Sequence, residues 1–203
     1  MGKKINSGLM CNGVTLACAT LMWERYNQKY PFLRHEMQKY HGRFRIDDKP
    51  IGLNGMTASE ALRSPTRQMA IIFRLLILEL LKNNALHLLH GLTVNTGGGA
   101  TKTLRLGENI RYIKKMPEPL PIFQLIHEEG RVSWNEMFED FNNGIAADII
   151  GSDEGGILES AIKKVSLETD VQYHELGECV YSQNPKNEVF LETDYGIFPY
   201  YGK

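Results

Sequence analysis

The sequence has little cysteine, no excess of either charge and no long apolar run. Each shortage removes a class of protein. Only Cys11, Cys18 and Cys179 stand among 203 residues. An odd, small number cannot all pair within one chain, which excludes a disulfide-built scaffold and points to reduced thiols. Cys11 and Cys18 are too far apart for a C-x-x-C redox pair. No His/Cys cluster has zinc spacing, so no metal site is expected. Lys and Arg number 23 against 24 Asp and Glu, a net charge of −1. A generic electrostatic grip on nucleic acid needs a basic excess. None exists over the whole chain, which leaves room only for a local basic patch. The most apolar stretch, 69–81, is broken by Arg74 and Glu79. It falls short of the roughly 20 residues of a membrane span. No apolar h-region follows Lys3 and Lys4, so no signal peptide is read. These absences predict a soluble, cytoplasmic protein with no membrane or nucleic-acid partner.

What is present is ordinary globular composition, 42% hydrophobic and 23% charged. That supports one domain over 1–203 with its own core. Helical spacing of Leu16, Leu21, Met22 and Trp23 predicts a helix from Thr15 to Tyr26 after an Asn12-Gly13 turn. Residues 31–55, with Gly42, Pro50, Gly52 and Gly55, form the best candidate for a long excursion or lid. Thr57 and Glu60 make a capping box for a short helix through Leu62, closed by Ser64-Pro65. Pro65 or Thr66 then opens an apolar helix to about Lys82, which its composition predicts to be buried on most faces. Residues 86–95 read as a buried strand flanked by packed His87 and His90, and 109–114 as another strand. Pro117, Pro119 and Pro121 precede a helix stopped by Gly130. Ser133 and Glu136 cap the next helix. A strand over 144–150, a helix capped by Ser152-Asp153 to about Leu167, and strands over 171–180 and 188–193 follow. The alternation predicts an α+β fold, a mixed or antiparallel sheet with helices on one face.

The glycine run is the strongest local signal. The strand predicted at 86–95 runs into Thr96-Gly97-Gly98-Gly99. Consecutive glycines let backbone N–H groups approach an anion, because no Cβ intervenes. Thr96, Thr101 and Thr103 add hydroxyls, and Lys102 adds a charge suited to phosphate. The alternative is a flexible turn, since G-x-x-x-x-G-K-[ST] does not occur. Ser64-Pro65-Thr66-Arg67 offers a second choice: an anion site at a helix start, or a plain cap with a surface arginine. Ser7-Gly8 with Asn12-Gly13, and Phe141-Asn142-Asn143-Gly144, read locally as a turn and a helix exit. The six histidines are scattered. No acid pair, triad or activated thiol is evident, so the catalytic residues stay unassigned.

Together these pieces resemble one family, the phosphoribosylformylglycinamidine cyclo-ligases (aminoimidazole ribonucleotide synthetases). Ser7-Gly8-Leu9-Met10-Cys11-Asn12-Gly13-Val14-Thr15-Leu16-Ala17 is similar to its S-G-L-x-S-N-G-[YF]-[ST]-L-A loop. Ser64-Pro65-Thr66-Arg67 is similar to [ST]-P-T-R, and Asn95-Thr96-Gly97-Gly98-Gly99 to H-I-T-G-G-G. Pro119-Leu120-Pro121-Ile122-Phe123 resembles P-x-P-P-[IL]-F. Ser133 through Gly144 resembles E-M-[YF]-x-x-F-N-M-G, and Leu176-Gly177-Glu178 the I-G-E-V close. Cys18 stands where the family has Arg, Val94 where it has the His of H-I-T-G-G-G, and Asn143 where it has Met.

The resemblance covers the family's C-terminal half. It implies that half of an ATP-dependent enzyme that closes the ring of formylglycinamidine ribonucleotide in purine synthesis. It places phosphate and substrate on Ser7, Asn12, Gly13, Thr66, Arg67, Thr96, Gly97, Gly98, Gly99, Lys102 and Asn142. ATP and Mg²⁺ would come mainly through an N-terminal half supplied as a partner, in a homo-oligomer. The alternatives are a non-catalytic module of the same fold, or half of another ATP-using synthetase of the superfamily.

Overall fold

The computed structural model describes residues 6–33 and 39–202. Residues 34–38 of the anticipated excursion, and Lys3 and Lys4, lie outside them. In chain order the elements are α1 (Val14–Leu21), α2 (Tyr26–Lys29), α3 (Ala58–Leu62), α4 (Met69–Lys82), β1 (Leu89–Val94), β2 (Ile110–Lys115), α5 (Pro121–Gly130), α6 (Trp134–Asp140), β3 (Ala147–Gly151), α7 (Ile157–Thr169), β4 (Gly177–Tyr181), β5 (Glu188–Thr193) and β6 (Gly196–Tyr201). The chain divides into two compact units. The first comprises Met1–Thr66, Asn95–Thr101 and Glu118–Ala146, and the second Arg67–Val94, Lys102–Pro117 and Ala147–Lys203.

The first unit is helical. Leu9, Ala17, Leu21, Leu53, Ala61, Leu62, Ile122, Phe123, Ile126, Met137 and Phe141 close its core. The apolar spacing predicts α1 as far as Tyr26, but the helix ends at Leu21. Met22 turns extended (φ −72°, ψ 141°), and Met22 and Trp23 pair in parallel with Phe44 and Gly42. Trp23 N–H donates to Phe44 O at 2.8 Å, and Phe44 N–H to Leu21 O at 3.0 Å. Gly42 permits this approach, because a Cβ there would lie 2.2 Å from the Leu21 carbonyl. The 31–55 segment is thus pinned at 42–44, and Leu53 is buried in the core.

α3 follows its local signals. Thr57 accepts from Glu60 N–H, and the Glu60 carboxylate accepts from Thr57 N–H at 2.8 Å. Those bonds hold the Glu60 carboxyl below its ordinary pKa. Thr57→Ala is expected to cost about 1 kcal/mol, read as a lowered urea midpoint. A midpoint unchanged from wild type would show that α3 is held by packing alone. α5 stops one residue later than Gly130 implies. Arg131 takes the left-handed conformation at φ 50°, while Gly130 serves packing, its Cβ direction lying 2.6 Å from the Thr20 methyl.

The second unit holds two sheets, which corrects the single sheet expected. β1 pairs antiparallel with β3, from Leu89↔Gly151 to Val94↔Ala147. The other sheet runs β4-β2-β5-β6, with β2 parallel to β5 and the remaining pairs antiparallel. Leu76 and Leu80 of α4 and Leu158, Ala161 and Val165 of α7 form a cluster with Ala85 and Leu88, against which Leu89, Leu92 and Ile149 pack. The result is an α+β arrangement with mixed and antiparallel sheets. β6 escaped the sequence because Pro199 interrupts it; as an edge strand it tolerates the missing donor. The predicted strand 86–95 begins as a 3-10 turn, Leu86–Leu88, and its flanking His87 and His90 are exposed rather than packed.

α4 differs from expectation in two ways. It starts at Met69, not at Pro65 or Thr66, with no side-chain cap at Gln68. It buries only Met69, Leu76 and Leu80 and leaves Ile71, Leu78 and Leu81 exposed. Its composition signals burial all round, but only one stripe meets partners within its unit. No helix among the described residues is long and apolar enough to cross a membrane.

Candidate functional site

Three loops of the first unit converge. The segment 7–13 leads into α1, the glycine segment 96–99 follows β1, and 141–144 leaves α6. Cys11 Sγ lies 3.9 Å from Thr96 Oγ1. Asn142 Nδ2 donates to Gly8 O at 3.3 Å. Ala100 N–H donates to Phe141 O at 3.2 Å. Two glycines make the convergence possible. A Cβ on Gly13 would lie 2.5 Å from the Phe141 ring, and one on Gly99 2.4 Å from the Phe141 carbonyl oxygen. Gly97, Gly98 and Gly99 all have positive φ (63°, 133° and 48°). That backbone is open to glycine and strained for other residues.

Ser7 braces the arrangement. Its buried hydroxyl donates to Ala61 O at 2.7 Å and accepts from Leu9 N–H, while its own N–H donates to Ser64 Oγ. Asn6 ties the same loop to Pro65 O at 2.8 Å. Thr101 bonds back to Gly98 O through both its N–H and its hydroxyl. Asn143, at φ 49°, donates to Met137 O and Phe141 O. It thereby closes the carbonyl end of α6.

Among the described residues, the buried amide oxygens of Asn95, Asn142 and Asn143 have no hydrogen-bond partner. Asn95 spends its Nδ2 on Ile145 O. An orphaned buried acceptor costs about 1–3 kcal/mol, so each asks for an N–H or O–H donor. An amide oxygen cannot bond a phosphate oxygen, since both are acceptors.

Of the residues singled out by sequence, Ser7, Asn12, Gly13, Thr96, Gly97, Gly98, Gly99 and Asn142 lie on these three loops. Thr66 is exposed in the first unit, and Arg67 is exposed in the second. Neither sits on the first turn of a helix, because α4 begins only at Met69. Lys102 lies in the 3-10 segment Gly99–Arg105 and belongs to the second unit. Burial, and then the like charge of Arg105, push its pKa down. Asn95 and Cys11 were not singled out as site residues. An asparagine just before a glycine run was the available sign for Asn95; Cys11 had none.

No protein-family model matches the chain. The phosphoribosylformylglycinamidine cyclo-ligase of Lactobacillus acidophilus is 31% identical over 151 residues, 72% of this chain and 41% of that protein. The enzyme of the same name from Methanopyrus kandleri is 31% identical over 150 residues, 73% of this chain and 35% of its own length. That of Methanocaldococcus jannaschii is 39% identical over 101 residues, 49% of this chain and 27% of its own length. The chain is a divergent cyclo-ligase-like domain.

The chain spans well under half the length of these curated relatives. Among the described residues of the cyclo-ligase-like domain, no group of three His, Cys, Asp or Glu could hold a metal ion.

Proposed function

We propose that this cyclo-ligase-like domain is the C-terminal, substrate-phosphate-binding half of an ATP-dependent cyclo-ligase that converts formylglycinamidine ribonucleotide to aminoimidazole ribonucleotide in purine synthesis. One observation carries this reading: the three loops that resemble the family's separate motifs meet in one unit around a positive-φ glycine run. At such a run the backbone can approach a phosphate closely, because no Cβ intervenes. Asn12 lies beside the run through Cys11. Binding and orientation are the contributions expected of this half, because phosphoryl transfer draws mainly on positioning and charge. ATP, Mg²⁺ and a homo-oligomeric assembly would come with the remaining part of the enzyme.

Equilibrium dialysis tests it with ribose 5-phosphate and with formylglycinamidine ribonucleotide. The ribonucleotide is expected to bind the tighter of the two. Asn142→Leu removes the Nδ2 bond to Gly8 O that joins two of these loops and should weaken both ligands about tenfold, equivalent to 1.4 kcal/mol. No binding of either ligand, with or without the remaining half, would overturn the reading. A second reading, a non-catalytic module of the same fold, is favoured by Ser7, whose hydroxyl is fully engaged in bracing. It predicts ligand binding without turnover after reconstitution.

A further inference from the structure

Independently of that reading, the first unit carries a basic, aromatic cavity that the cyclo-ligase resemblance does not use. The stretch 23–45 holds Arg25, Lys29, Arg34, Lys39, Arg43 and Arg45 against only Glu24 and Glu36, in a chain of net charge −1. It also holds Trp23, Tyr26, Tyr30, Phe32, Tyr40 and Phe44. Whole-chain charge hides this patch, because acids elsewhere cancel it.

The structure arranges the described residues of this stretch in a specific way. Glu24, Arg25, Gln28, Lys39, Tyr40 and His41 line a cavity of about 430 Å³. Asn27 clasps its two walls: its Nδ2 donates to Tyr40 O at 2.8 Å, and Tyr40 N–H donates to its Oδ1 at 3.0 Å. His41 N–H is fixed to Ala19 O at 2.7 Å. The guanidinium groups of Arg25 and Arg45 lie 5.3 and 4.7 Å from the Trp23 ring centroid. Trp23, Tyr26, Tyr30 and Phe32 then follow in a row, with centroids 5.6, 5.8 and 6.3 Å apart, and Phe32 is 79% exposed. Arg43 is not part of the cation supply, because Glu129 holds it in a two-pronged pair.

A tied cavity of this size falls in the range of small-molecule sites, about 300–1,000 Å³. It presents planar rings beside exposed cations. That combination recognises a planar group joined to an anion, through stacking and cation–phosphate attraction. Glu24 excludes a ligand that is anionic throughout, and with Gln28 it offers an acceptor and an amide to a base edge. We propose that this cavity binds a nucleotide unit, with the base against Tyr40 and His41 and the phosphate on Arg25 and Lys39. Free nucleotides and single-stranded nucleic acid share that chemistry. In the second case exposed Phe32 and half-buried Tyr30 supply stacking for neighbouring bases.

The test uses the chain as it stands, at low salt. AMP and UMP are titrated by calorimetry. A fluorescein-labelled oligouridylate of about a dozen nucleotides, spanning a typical single-strand site, and an abasic strand of equal length are titrated by anisotropy. Binding of a mononucleotide, or of the oligouridylate alone, supports the proposal and identifies the source. The double substitution Arg25→Glu/Lys39→Glu, at two exposed positions, is expected to weaken binding by more than tenfold with unchanged circular dichroism. Tyr40→Leu, which keeps the apolar bulk, should weaken it about tenfold. The proposal is overturned if neither ligand class binds, if the charge reversals leave affinity unchanged, or if the abasic strand binds as well as the oligouridylate.

Discussion

Replacing Asp148 by alanine is expected to destabilise the second unit by about 3–5 kcal/mol, the usual cost of stranding one member of a buried ion pair. Asp148 lies on β3 and Lys114 on β2, in different sheets, with Lys114 Nζ 2.8 Å from Asp148 Oδ2. Their side chains are only 7% and 6% exposed. Without the carboxylate the ammonium keeps its desolvation penalty and loses its main compensating charge. For a domain stable by about 5–15 kcal/mol, that is a large share of the total. The double replacement Lys114→Met/Asp148→Leu removes both charges and is expected to cost far less. Urea denaturation of the three proteins measures this directly. If Asp148→Ala unfolds within about 1 kcal/mol of wild type, the pair is more hydrated than its geometry implies.

Gly99→Ala is the second change of large effect. The glycine has φ +48°, and an added Cβ would sit 2.4 Å from Phe141 O, 2.7 Å from Phe138 O and 2.9 Å from Glu139 O. Three carbonyl oxygens at the end of α6 leave the methyl nowhere to go. Left-handed backbone costs a non-glycine residue about 1–2 kcal/mol, and overpacking adds about 1–3 kcal/mol. The loop must therefore lift away, which breaks the Ala100 N–H to Phe141 O bond and moves the neighbouring Gly97 and Gly98. Both a lower urea midpoint and loss of phosphoribosyl-ligand binding are expected. Gly52→Ala is the control: its φ is also positive, at 93°, but nothing lies within 4 Å of the added atom. It should cost about 1 kcal/mol from strain alone and leave binding intact. Ligand binding that survives Gly99→Ala at full strength would remove the glycine loop from the site.

Much of the local structure was legible because the interactions that make it span only a few residues. The Thr57 box sets the start of α3 through bonds three residues apart. Ser133 accepts from Glu136 N–H at the start of α6. Asp153 accepts from Leu158 and Glu159 N–H at the start of α7. The errors at α1 and α4 have a common origin. Apolar spacing reports what a helix could bury, not what the rest of the chain brings to it. Met22 and Trp23 continue the helical pattern of α1, yet pairing with residues 42–44 takes them away. α4 is rich in Leu and Ile on several faces, yet its unit covers one stripe.

The site divides along the same line. The glycine run, the Asn12-Gly13 turn and the Asn142-Asn143 exit were visible as motifs, because special backbone angles need special residues. Sequence alone determined the α+β character, the caps and turns, and the cyclo-ligase resemblance carried by separated motifs. Tertiary structure decided that the chain folds as two units with two sheets. It also decided that Asn142 reaches Gly8 across 134 residues, that Asp148 meets Lys114, and that Arg25, Lys39 and Tyr40 wall one cavity. The physical reason is range. Caps and turns are settled by dihedral preferences and hydrogen bonds between near neighbours, whereas strand pairing, buried charge pairs and converging loops depend on distant partners that only the closed chain brings together.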